Sequence, residues 1–191
     1  MALFQHKGIE TERLFLRNWT MQDISGFLRF AADPDVMMAA GAKPVLSPEE
    51  ARAELKRNTE DPYSYAITLK STGEVVGKIK YQNDLRRYRT NSVSFGYQLA
   101  RTYWGNGYMT EALRAMVRHA FDVMQMDVVG ISHFVGNERS KKVIERAGFV
   151  FEGVIPRAYC RFDGAVFDEA GYSILREEYI TGKISGSRYP Y

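Results

Sequence analysis

Residues 93–113 join an alternating strand, two closely spaced glycines and an amphipathic helix, an arrangement suited to holding an anion. Val93, Phe95, Tyr97 and Leu99 recur at every second position, the period of a strand with one face in a core. Gly105 and Gly107 then bracket Asn106. Beyond them Met109, Leu113, Met116, Val117, Ala120, Phe121 and Met124 recur at helical spacing. Glycines at the mouth of a helix let a ligand approach the backbone closely. The first-turn N–H groups have no partner within the helix and lie at the positive end of its dipole, so they attract phosphate. The pattern is not the three-glycine dinucleotide fingerprint, and no Gly-Lys-Ser/Thr of a Walker loop follows. Taken alone, the glycines fit a ligand-free strand-to-helix turn equally well.

Bulk properties narrow the chemistry. The chain has 191 residues, enough for one domain with a sizeable core, and 45% of them are apolar. A net charge of +3 is too small to argue for nucleic acid. A single cysteine, Cys160, excludes an internal disulfide framework and a cysteine-rich metal site, and its surroundings read as packing rather than as a nucleophile. Residues 1–8 carry no apolar run of signal-peptide type, and no stretch is long and apolar enough to span a bilayer. These features lead to the expectation of a cytoplasmic protein acting on neither membranes nor nucleic acid directly and holding no metal; monomer and homodimer both stay open.

The surrounding elements must position that loop. Strands are expected over 13–17, 63–69, 75–81, 128–134, 150–155 and 167–175, and helices over 23–32, 47–58 and 137–147. Ser47-Pro48-Glu49-Glu50 is a helix start, with a capping serine and proline at the first helical position. Asp33-Pro34 reads as a stop, 37–44 as irregular, and 84–90 as a solvated loop holding Arg86, Arg87 and Arg89. Residues 182–191 have no period and read as a loose tail. The order β-α-α-β-β-β-α-β-α-β-β mixes hairpins with crossovers. It predicts an α/β (α+β) fold in which a mixed sheet has helices on both faces.

Several segments, in order, resemble the GCN5-related N-acetyltransferase (GNAT) family, in its branch of ribosomal-protein alanine and serine N-acetyltransferases. Thr11-Glu12-Arg13-Leu14-Phe15-Leu16-Arg17 is similar to that branch's opening strand. Tyr103 through Ala112 resembles its pyrophosphate loop and helix, and Asn137-Glu138-Arg139-Ser140 through Arg146-Ala147-Gly148-Phe149 its second cofactor segment. Asp168 through Tyr172 to Leu175 resembles its closing strand, so the likeness spans about 9–179. It implies a mostly antiparallel sheet that splays where the cofactor enters. Two positions depart from the broad pattern: Trp104 opens the loop where glutamine or arginine is usual, and Met109 takes the place of its last small residue. The position of the tyrosine acid found in many relatives is Ile144, which has no proton to give.

The resemblance implies acetyl transfer from acetyl-coenzyme A to an amine acceptor, foremost a protein N-terminal α-amine. Small-molecule amines such as polyamines or antibiotics, and a non-catalytic coenzyme-binding module, are the alternatives. Backbone groups of Gly105, Asn106, Gly107, Tyr108 and Met109, with the Thr110 hydroxyl and Trp104, would hold the diphosphate. The strand end from Gln98 through Leu99 to Arg101 would pair with the pantetheine arm, and the Leu99 N–H would face the developing oxyanion. Asn137 would hold the arm from the neighbouring strand's end while also capping a helix. Ser140 would protonate or position the leaving thiolate, with Tyr172 as the alternative donor. Glu169 and Asp168, and then Asp84, are carboxylates able to take the amine's proton, and His133, an imidazole, is a further candidate base.

Overall fold

The computed structural model describes residues 8–182, in which one eight-stranded sheet runs in the order β1-β2-β3-β4-β5-β6-β8-β7. Its strands are β1 (Ile9–Glu10), β2 (Leu14–Asn18), β3 (Ser64–Leu69), β4 (Val75–Asn83), β5 (Ser92–Leu99), β6 (Val128–Phe134), β7 (Val150–Cys160) and β8 (Val166–Leu175). The helices are α1 (Ile24–Ala31), α2 (Pro34–Ala39), α3 (Pro48–Glu60), α4 (Tyr108–Asp122), α5 (Glu138–Arg146) and α6 (Arg176–Thr181). Every neighbouring pair is antiparallel except β5 and β6, which are joined by the α4 crossover that a parallel connection requires.

Strand alternation builds two cores, one on each face. In β3, Tyr65, Ile67 and Leu69 join the core beneath α4 and α5, while Ala66 joins the one beneath α1, α2 and α3. The apolar stripe read along 109–121 is the buried face of α4. Helices therefore cover both faces, as the element order requires.

Four local expectations are corrected. Asp33-Pro34 does end α1, but it also starts α2: Asp33 accepts the Asp35 N–H at 3.0 Å and Pro34 takes the first helical position. Residues 37–39 are thus helical rather than irregular. β7 runs on to Cys160 through two register shifts, and these interrupt the alternation that marked only its first half. Cys160 is exposed rather than packed. After β8 the chain turns directly into α6, where Glu178 accepts the Leu175 N–H at 2.9 Å. The expected tail, beyond Gly182, lies outside the described residues.

The arginine loop is the fourth correction. Its residues fold over the open face of β6 and β8, which no helix covers. Arg87 bridges Asp84 at 2.7 Å and Glu152 at 2.5 Å, and Arg86 reaches Glu169 at 3.4 Å. Two glycines make the room. A Cβ at Gly171 would collide with the Arg86 guanidinium, and one at Gly130 would stand 2.9 Å from Asp84 Oδ2. Arg89 alone of the three remains exposed. Removing the central cation would take the ion pair from two carboxylates, one of them, Asp84, deeply buried. Arg87→Ala is expected to cost about 3 kcal/mol in urea denaturation, and a loss below about 0.5 kcal/mol would match a solvated loop residue instead.

Candidate active site

The site is built on a defect in the sheet. β5 pairs with β4 from Val93 to Leu99, but with β6 only from Ser92 to Ser94. Beyond Ser94 the two strands separate. Ala100 N–H donates to Val76 O at 2.9 Å, toward β4. By the alternation of a ladder, the backbone groups of Leu99 and Tyr97 therefore face the gap, and those of Gln98 face β4. A cleft of about 540 Å³ passes through this gap and opens on both faces of the sheet.

One end lies at the start of α4. Gly105 and Gly107 take φ values of +80° and +78°, which glycine alone adopts without strain. Gly107 caps α4 with no side chain to satisfy the first N–H groups, and nothing stands within 4 Å above Gly105. Open space at Gly105 thus lies beside first-turn N–H groups that no capping side chain satisfies, with the Arg13 guanidinium 3.5 Å from where a Cβ at Gly107 would stand. Trp104 locks the loop to the strand, its indole N–H donating to Leu99 O at 2.8 Å. Arg139 stacks on that indole at 4.1 Å, and Arg139, Lys142 and Arg146 from one face of α5 line the cleft. This end suits a ligand rich in phosphate. The α5 cations were not singled out in the sequence, although their spacing of three and four residues places them on one helical face.

At the centre, Asn137 caps α5 by accepting the Ser140 N–H at 3.1 Å, and its amide reaches Ala39 O of α2 at 3.3 Å. The Ser140 hydroxyl lies 2.7 Å from the Tyr97 phenol. Burial pushes the Tyr97 phenol up to about 12, against the opposing pull of Ser140. Tyr97 therefore keeps its proton and either hydroxyl of the pair can donate to the other, a contact hidden in the sequence by the tyrosine's place in the strand's apolar alternation. Ile144 is wholly buried in the core.

The other end faces α2. Lys78, Lys80 and Gln82 of β4, Gln98 of β5, Ser132 of β6 and Glu169 of β8 line it, with Val36, Ala39, Ala40 and Tyr159 at the rim. Glu169 is held loosely, by Ser132 at 3.3 Å and Arg86 at 3.4 Å.

Of the residues singled out in the sequence, Gln98, Leu99, Trp104, Gly105, Gly107, Tyr108, Met109, Thr110, His133, Asn137, Ser140 and Glu169 line this cleft. Five do not. Arg101 is drawn to Asp33 and Asp35 at 2.6 and 2.7 Å. Asn106 is turned outward, its carbonyl accepting from Arg13 at 3.0 Å. Tyr172 is 3% exposed and its hydroxyl lies 3.2 Å from His133 Nε2. A carbonyl only accepts, so His133 Nδ1 donates to Phe134 O, and in the neutral ring Nε2 accepts from Tyr172. Asp168 is spent on the Arg157 N–H, and Asp84 on Arg87.

The sequence matches the acetyltransferase (GNAT) domain family over residues 13–150. The N-acetyltransferase YoaA of Bacillus subtilis (strain 168) is 26% identical over 173 residues, 88% of this chain and 96% of that protein. A GNAT-family acetyltransferase from Bacillus anthracis superposes with a TM-score of 0.80 at 24% identity, covering 90% of this chain and 99% of the other. Ribosomal-protein-S5-alanine acetyltransferase from Vibrio fischeri superposes with a TM-score of 0.73 at 21% identity, covering 91% and 99%. At these identities both structural likenesses concern the fold.

If phosphate lies against the glycine turn, Gly107→Ala and Gly107→Val should weaken coenzyme A binding in calorimetry, valine more. The positive φ should also lower stability, by about 1–2 kcal/mol. A folded Gly107→Val protein that still binds coenzyme A tightly would remove the phosphate assignment.

Proposed function

The chain belongs to the GNAT acetyltransferase family, and on that premise we propose that it passes an acetyl group directly from acetyl-CoA to a primary amine, foremost a protein N-terminal α-amine. The observation that carries this reading is the cleft through the β5–β6 gap, with phosphate-suited groups at one end and a carboxylate at the other. Transfer across such a passage needs no covalent enzyme intermediate. Cys160, the one thiol in the sequence, is exposed and outside the cleft.

Bound acetyl-CoA supplies an acetyl group activated as a thioester. The open edge of β5 pairs with amides of the pantetheine arm, as an added strand would. The Leu99 N–H donates to the carbonyl oxygen as negative charge develops on it. Glu169 takes the proton shed by the attacking amine, through water. An α-amine, with a reference pKa of about 7.7–8.0, needs little such help.

Ser140 and Tyr97 act at the leaving sulfur. A phenol held near 12 is too weak an acid to surrender its proton outright to a thiolate. It donates a hydrogen bond to Ser140 Oγ, and the Ser140 hydroxyl donates onward to the sulfur, a chain in which each donor strengthens the next. This favours positioning and charge stabilisation over proton transfer for Ser140.

Acetyl transfer to a panel of peptides and small amines, read as coenzyme A thiol release, tests the reading. Initial rates should give intersecting lines, and Cys160→Ser should stay active. Parallel ping-pong lines or an acetylated Cys160 would overturn direct transfer. Ser140→Ala should lower kcat by about 10- to 100-fold with little change in KM for acetyl-CoA. Tyr97→Phe should lower it less, and the double variant should match Ser140→Ala. Multiplying losses would mean two separate roles. The rate at saturating acceptor should rise with pH as the amine loses its proton, and Tyr97→Phe should leave the profile below about pH 10 unshifted, because Tyr97 stays protonated there.

A further inference from the structure

Lys78 stands in the middle of β4 with its side chain on the face opposite Ile79 and Tyr81, which lie in the α4 core. That face is the α2 end of the cleft, which Lys78 lines. It makes no hydrogen bond or ion pair to the described residues, whereas its neighbour Lys80 has Asp61 at 3.9 Å. A half-buried ammonium that lines a cleft with no anion paired to it is a place where a partner can arrive from outside. Burial first, and the Lys80 charge second, lower the Lys78 pKa to about 8, and Glu54 and Asp61 offset this only in part. An incoming anion would reverse that loss.

The placement is informative. Lys78 is the register partner of Gln98, and the adjacent pair is Gly77 with Leu99. The backbone that carries the cation therefore stands one residue pair from the N–H assigned to the oxyanion. Glu169 stands on the opposite wall, carried by β8 across the gap. A molecule whose amine points into the gap, with Glu169 near its proton, would bring Lys78 within reach of a group a few bonds away.

We propose, building on the acetyl-transfer reading, that the acceptor carries an oxyanion within a few bonds of its amine, and that Lys78 binds it. The acceptor class is then amino-acid-like: a free amino acid, an amino phosphate ester, or a peptide whose second residue is acidic. Polycationic amines are disfavoured, since they would bring further positive charge to Lys78 and Lys80.

Matched acetylated products test this without turnover. Calorimetry in the presence of coenzyme A would compare N-acetyl-alanine with N-acetyl-alaninamide, acetyl-Ala-Glu-amide with acetyl-Ala-Gln-amide, and N-acetyl-phosphoethanolamine with N-acetylethanolamine. At least one anionic member should bind about 10- to 100-fold more tightly than its neutral twin. The preferred pair identifies the source of the oxyanion. Lys78→Met should abolish the preference and Lys78→Arg should retain it, which a proton-accepting role for Lys78 would not allow, arginine being no base. Equal binding within all three pairs, or a preference surviving in Lys78→Met, would overturn the proposal. The corresponding free amines, assayed with acetyl-CoA, keep the two readings apart. Acetylation of neutral amines with no anion preference sinks the Lys78 assignment alone. Binding of the anionic products without acetylation of any amine sinks the acetyl-transfer reading alone.

Discussion

A strand edge left unpaired inside a sheet is the constraint on which this molecule turns. Backbone groups out of water and without partners are expensive, and two parallel strands held together at one end would ordinarily zip onward. Here β6 follows β8 along its whole length and β5 follows β4, so each strand is held by its other edge while the edges facing each other part after Ser94. Side chains then brace the opening. Trp104 holds the far end of β5 through Leu99, and Ser140 meets Tyr97 across the gap. Asn137 ties α5 to α2, helices whose cores lie on opposite faces of the sheet. The backbone groups facing the gap are thus held ready for a ligand that presents amides of its own.

The two ends of the passage divide the chemistry by charge. Cations and helix N–H groups gather on the α4–α5 side, and the α2 side sets two lysines against one carboxylate. This asymmetry is local, since the net charge of the whole chain is only +3. What a ligand senses inside the cleft is the pair of walls, where displaced water makes each charge count for more.

Much of this was legible in residue types and spacing. The glycine turn, the apolar stripe of α4 and the alternation of the strands are local signals, and each lies where its period placed it. What escaped was relational. Tyr97 fits a strand's apolar alternation, and nothing near it in sequence tells that its hydroxyl meets Ser140 forty-three residues later. Arg86 and Arg87 sit among polar loop residues, and their burial follows only once Gly130 and Gly171 lie beneath them. Pro34 serves as both stop and start, and only the cap made by Asp33 distinguishes a break between two helices from the beginning of a coil. Lys78 alternates with apolar neighbours as any half-exposed strand lysine would. Its meaning comes from the wall facing it.

The packing of Arg86 on Gly171 has a historical consequence. The two residues compete for one volume: a side chain at 171 either displaces the Arg86 guanidinium, the flexible end of its side chain, or follows after position 86 has shortened. Position 86 in turn holds Glu169, so that shortening releases a carboxylate in the cleft. A change on the loop therefore alters which later changes on β8 are accessible. Lineages that lost the arginine first would explore acceptors under different electrostatics before they gained bulk on the sheet. The order of substitutions, and not only their identity, is written into this contact.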